Sequence, residues 1–232
     1  MFIDRIKDVR HVMEENDVEA LLLSVGADLP YFTGYEAMPL ERLTMLVLPR
    51  EGQPKLIVPA LEAPRVQEQP EIFSLHPWKE SEDPIAILVE ELGASRSVAV
   101  GDTTWTRFTI ELLNQLPNLR LSRANSITSI IRSKKSPDEI KRLKEAASAV
   151  DRIAARLQSG EIQLIGKSES QVSNELGAQI LEEGHHRVNF AIVAAGENAA
   201  SPHHEAGHRA VSYTHLRAHE TVLDLVCRLL LE

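Results

Sequence analysis

The sequence predicts an α/β domain with a mixed sheet flanked by helices, followed by the first part of a second domain. Three observations lead there. Short apolar runs alternate with helical stretches through the first half of the chain, the pattern of strands covered by helices. Two of those runs are joined by a connection too short for a crossover helix, so the sheet contains an antiparallel pair. A strongly capped helix then starts at Ser136, after the last of these elements.

Phe2, Ile3, Ile6, Val9 and Met13 recur at helical spacing with charged residues between them, so an amphipathic helix opens the chain and ends near Asn16-Asp17. Ala20-Leu-Leu-Leu-Ser24, Thr44-Met-Leu-Val-Leu48, Lys55-Leu-Ile-Val58 and Ser97-Val-Ala-Val100 are apolar runs of strand length, each bounded by Gly, Pro or charged residues. Pro49-Arg-Glu-Gly-Gln-Pro54 closes the second and third runs into a hairpin. Helices are expected at residues 60–67, 84–92 and 106–116. In Ser136-Pro-Asp-Glu139, Ser136 caps free N–H groups, Pro137 loses nothing at the first helical position, and Glu139 reaches back to complete a capping box. Ile140, Leu143, Ala147, Val150, Ile153 and Leu157 continue as one apolar stripe to about Gln158. Ser168 with Gln171 offers a second box, for a helix carrying Val172, Leu176 and Ile180 and stopped by Gly184; Phe190-Ala-Ile-Val-Ala194 is a fresh strand. The expected domains are residues 1–131 and 132–210.

The end of the chain reads differently. Val211-Ser-Tyr-Thr-His-Leu-Arg-Ala-His-Glu-Thr221 corresponds, codon for codon, to one frame of a transposase-adapter end used in DNA sequencing libraries. Leu225-Val-Cys-Arg-Leu-Leu-Leu-Glu232 fits the outer part of the same kind of adapter. Residues 211–232 are therefore expected to be a non-native tail, with the natural sequence cut mid-domain near Ala210. The alternative is an amphipathic C-terminal helix, which the leucines permit.

Without that tail the chain has 23 basic and 31 acidic residues, a net charge of −8, and no long basic run. This balance argues against nucleic acid or an anionic membrane as partner. The sole cysteine, Cys227, lies in the tail, which suits a reducing compartment. Charges begin at Asp4 and Arg5 and no apolar run approaches the ~20 residues of a membrane span, so neither signal peptide nor span is expected and a cytoplasmic location is.

The densest cluster of reactive side chains is Ser201-Pro-His-His-Glu-Ala-Gly-His208. His204-Glu-Ala-Gly-His208 satisfies H-E-x-x-H, in which two histidines one helical turn apart bind zinc and the glutamate activates water. That chemistry needs a continuous helix. Pro202 just before it, Gly207 within it and a strand upstream speak against one, leaving a polar surface loop as the plain reading.

Four landmarks in order resemble the Xaa-Pro peptidases, the aminopeptidase P and prolidase group that shares its fold with creatinase. They are Gly34 in Tyr31-Phe-Thr-Gly-Tyr35, Val58-Pro-Ala-Leu-Glu62, Arg132-Ser-Lys-Lys-Ser-Pro-Asp-Glu-Ile140 and Ala195-Gly-Glu-Asn-Ala-Ala-Ser-Pro-His-His204. The resemblance implies a creatinase-type N-terminal domain followed by the start of an α+β catalytic domain of pita-bread fold. It also implies a hydrolase of the bond before proline in short peptides, often dimeric, with two divalent ions, commonly manganese, cobalt or zinc. Hydrolysing a tertiary amide needs activated water and a stabilised oxyanion, which a metal pair supplies; hard carboxylate ligands suit manganese.

The family's ligands are two aspartates, a histidine and two glutamates, all placed after the Pro-His segment, so no residue here maps onto a metal ligand. The chain as given is expected to hold no metal and to be inert. His203 matches the family histidine that faces the substrate and can donate a hydrogen bond to the reacting amide or oxyanion; His204, Glu205 and His208 match no such role. Gly34 and Pro59 read as packing positions, a permissive turn and a strand end. Two other readings stay open within the fold: a creatinase-like hydrolase working without metal, and a non-catalytic module that binds another protein.

Overall fold

The computed structural model describes residues 1–212 and, as backbone, 216–219. The rest of the adapter-like stretch, with His215 and Cys227, lies outside the described residues. The chain divides into two compact units, Met1–Lys134 and Lys135–Glu232.

In the first unit, helix α1 (Phe2–Glu15) leads through a turn at Asp17 into strand β1 (Ala20–Ser24). A short helix α2 (Asp28–Thr33) follows, then strands β2 (Met45–Pro49), β3 (Lys55–Pro59) and β4 (Ser74–Trp78). Helix α3 (Pro84–Leu92), strand β5 (Ser97–Val100), helix α4 (Thr106–Gln115), strand β6 (Arg120–Arg123) and helix α5 (Asn125–Ser133) complete it. The six strands lie in the order β4-β3-β2-β1-β5-β6. β2 is antiparallel to both β1 and β3, while β3/β4, β1/β5 and β5/β6 are parallel, so the sheet is mixed as the short connection at 49–54 requires.

Strand side chains alternate between two apolar layers. Leu21, Leu23, Leu46, Leu48, Leu56, Val58 and Ala99 face α1, α2 and α5, through Val9, Met13, Phe32 and Ile127. Ala20, Leu22, Met45, Val47, Ile57 and Val98 face α3 and α4, through Ile85, Leu88, Phe108 and Leu112. Each Val, Leu, Ile, Phe or Met side chain so buried is worth about 1.5–3 kcal/mol relative to exposure. α5 is tied to α2 by Arg132 and Thr128, which donate to Asp28 at 2.9 and 3.1 Å.

Several features depart from the sequence expectation, among them helix α5, which falls between the expected elements. The helix expected at 60–67 is a single 3-10 turn, Ala63–Arg65, because Pro64 has no N–H to donate and Val66 is already extended. β4 and β6 are edge strands: β6 is polar and mostly exposed, while β4 is partly buried, ends in the core residue Trp78 and contains Pro77, which an edge tolerates. α2 is only six residues, too short for periodicity; it ends where Gly34 takes φ +74° and donates its N–H to the Pro30 carbonyl.

In the second unit, helix α6 (Pro137–Gln158) begins with the expected capping box of Ser136 and Glu139, and helix α7 (Glu169–Glu182) with that of Ser168 and Gln171. Strand β7 (Ile192–Ala195) runs into a 3-10 turn, Gly196–Ala200. Ile153, Leu157, Ile162, Val172, Leu176, Ile180, Val193 and Val211 form the core. The stripe on α6 is covered only toward its C-terminal end: Ile140 and Leu143 stay 43% and 57% exposed.

The first residue of the expected non-native tail packs into the second unit. Val211 is buried, and its N–H donates to the Lys167 carbonyl at 2.8 Å. Strand β8 (Leu216–His219) pairs antiparallel with β7, which therefore has a partner along one edge. Main-chain pairing needs only extended backbone and a free edge, so a strand forms there whatever the origin of its codons.

Residues 1–134 produced alone are expected to melt in one cooperative transition, since both apolar layers of the sheet lie within them. Deleting residues 211–232 should leave that transition unchanged and destabilise the second unit through loss of Val211 and the β7 partner. Calorimetry on the full chain, the deletion variant and residues 1–134 checks both; a shift of the first unit's midpoint on deletion would contradict the division.

Candidate functional site

The second unit brings its chemistry to the first turn of α7. Ser168 is the cap, its Oγ accepting from the Gln171 N–H, so Glu169 occupies the first helical position. The next free helical N–H groups, of Glu169 and Ser170, donate to the carbonyls of Arg209 and Gly207, both at 2.9 Å. The segment returning from the histidine-rich loop is thus fastened against α7 by main-chain bonds.

Glu169 has no exposed surface. Its Oε1 accepts from the Ala195 N–H at 2.6 Å and from Asn198 Nδ2 at 2.9 Å. Its Oε2 accepts from His204 Nε2 at 2.8 Å and from the Gly207 N–H at 3.1 Å. Burial alone pushes this carboxyl upward, but the bonds from Ala195, His204, Asn198 and Gly207 outweigh it and hold the group at about 2. An ionised carboxylate only accepts, so the proton of the shared bond sits on His204 Nε2.

The H-E-x-x-H pattern does not become a zinc site. Residues 204–208 form an irregular loop rather than a helix, and His204 Nε2 is committed to Glu169. Among the described residues no three His, Cys, Asp or Glu side chains converge to hold an ion. His203 lies exposed on the same loop, one residue before His204. Glu205 and His208 are exposed too, and the Glu205 side chain does not join the cluster. Beside the loop, Gly196 takes φ +57°, and a Cβ there would lie 3.2 Å from the Arg209 guanidinium.

Glu169 escapes sequence reading because an acid in a first helical turn ordinarily faces solvent and the helix dipole. Its four partners lie 26 to 38 residues further on. The landmarks in the first unit serve packing: Phe32 and Tyr35 are buried around the Gly34 turn, Pro59 ends β3, and Arg132 pairs with Asp28.

The creatinase/prolidase N-terminal domain matches residues 5–134, and metallopeptidase family M24 matches residues 141–229. Over 188 residues the chain is 32% identical to a probable dipeptidase PepE of Mycobacterium bovis, covering 79% of this chain and 49% of that protein. The crystal structure of dipeptidase PepE from Mycobacterium ulcerans is similar with a TM-score of 0.82 at 29% identity, over 91% of this chain and 57% of the other. That of a prolidase from Thermococcus sibiricus gives 0.78 at 28%, over 91% and 59%. The chain belongs to the creatinase/prolidase family of M24 metallopeptidases, and spans about half the length of the curated relatives it matches.

The depressed Glu169 carboxyl links the loop to pH. Its folded value of about 2 lies below the ordinary 4.5, so its contribution to the second unit is complete above about pH 4.5 and is lost as pH falls from there toward 2. A carbon-13 titration of the Glu169 carboxyl should show a midpoint near 2; a midpoint at 4.5 or above would mean that the clamp does not form in solution.

Proposed function

We propose that this chain is the N-terminal portion of a metal-dependent Xaa-Pro peptidase that hydrolyses the bond before proline in short peptides. The observation that carries the reading is the order of the two units: a creatinase/prolidase N-terminal domain and then the opening of an M24 domain, on a chain similar to a probable dipeptidase and to a prolidase. Family M24 implies divalent metal in the full-length enzymes, and our assignment is manganese, on the preference of hard ions for carboxylate oxygen. When bound, such ions supply activated water. The described residues offer no ligand set for them, so no step is assigned to metal here.

What this chain contributes is His203. Its exposure at the head of a loop fastened on both sides favours a role facing the substrate, where the imidazole donates a hydrogen bond to the amide oxygen as it becomes an oxyanion. The proline-containing peptide is the proposed partner.

Two outcomes follow. The chain as given should hydrolyse no Xaa-Pro dipeptide even with excess manganese, and chelator-sensitive turnover copurifying with it would sink that expectation. In a protein extended to the full length of its relatives, His203→Ala should lower kcat by about 10²–10³ with metal content intact, the usual worth of one oxyanion donor. His208→Ala, at an exposed position outside the clamp, should do far less. Loss of metal on His204→Ala and His208→Ala would restore the zincin reading instead.

A further inference from the structure

We propose that Glu169 is a positioning residue: its buried carboxylate fixes the loop of residues 195–207 so that His203 is presented to the substrate, an inference that rests on the function proposed for His203. The four donors to this carboxylate come from three stretches: the end of β7, the 3-10 turn, and the return loop on either side of the sequence Glu205-Ala206. His203 stands between the second and third of these anchors. Its neighbour His204 is pinned through Nε2, which fixes the backbone from which the His203 side chain projects.

The requirement is for a carboxylate and not merely for bulk. A glutamine in the same pose keeps an acceptor for Ala195 and Asn198, but its NH2 group then points at the Gly207 N–H, donor against donor. Turning the amide over moves the same conflict to Ala195. An aspartate keeps the charge but is one methylene too short to reach both sides of the loop. Among the described residues no other side chain accepts from all four donors, and Glu169 comes from a different element, so it holds the loop from outside.

The test has two arms. In the present chain, residue-resolved amide exchange of Glu169→Gln should show the Gly207 N–H exchanging at least about tenfold faster, as expected when a bond to a charged acceptor is lost, with Val172 and Leu176 in α7 unchanged. In the full-length enzyme, Glu169→Gln should lower kcat by about 10–100-fold with KM and metal content unchanged. In a His203→Ala background the same substitution should lower kcat no further, because a residue acting only through His203 has nothing left to act on. His204→Ala, which leaves three of the four donors in place, provides a milder variant and should give a smaller fall with the same dependence on His203.

Unchanged exchange at Gly207 would overturn the clamp while leaving the function of His203 standing. Losses that add fully in the double variant would overturn the positioning role and leave Glu169 a fold residue. If His203→Ala itself leaves kcat untouched, the function reading falls and the positioning role with it, a result distinguished from the others because the exchange arm reads the clamp alone.

Discussion

A carboxylate with no exposed surface is tolerated only when its charge is met by donors on every side, and the second unit is arranged around meeting that condition at Glu169. The strand end at Ala195, the turn at Asn198, His204 and the return at Gly207 are all drawn to one pair of oxygens. The apolar core beneath, from Val172 to Val193, brings α7 and β7 together, yet hydrophobic contact is non-directional and leaves a loop many arrangements. The carboxylate selects one. The histidines of this loop thereby divide, one spent on structure and its neighbour left facing outward.

The first unit is organised by a different constraint. β1 and β2 are buried on both faces, so their sequences read as continuous apolar runs, and the two helical layers come from opposite sides of one sheet. The reversal at 49–54 sends β2 and β3 antiparallel and leaves parallel pairs at both margins. Such a margin needs little apolar sequence, as Arg120 and Arg123 in β6 show.

Legibility in the sequence followed locality. The two capping boxes, the hairpin, the α3 boundaries and the αL turn at Gly34 each depend on residues within a few positions of one another, and all were readable. β4 and β6 were not, because an edge strand carries half the burial and therefore half the pattern; α2 was too short for periodicity to accumulate. At the site, His203 was legible only through resemblance, since an exposed loop histidine has no local signature. Glu169 was legible by neither route: its role exists only once residues far along the chain have folded back onto it. The place of Val211 in the core was hidden by its reading as adapter, although a valine packs by shape and not by provenance.

The pairing of β7 with residues 216–219 joins through peptide groups, which are the same in every sequence. The edge of β7 that takes this strand is thus a permissive junction. A chain entering beyond Val211 is received by the sheet if it can extend, so that junction asks less of the sequence than the Glu169 loop, where two of the four donors are the side chains of Asn198 and His204. Exchange of downstream halves between relatives would preserve the histidine loop as a unit while the strands that complete the sheet are replaced.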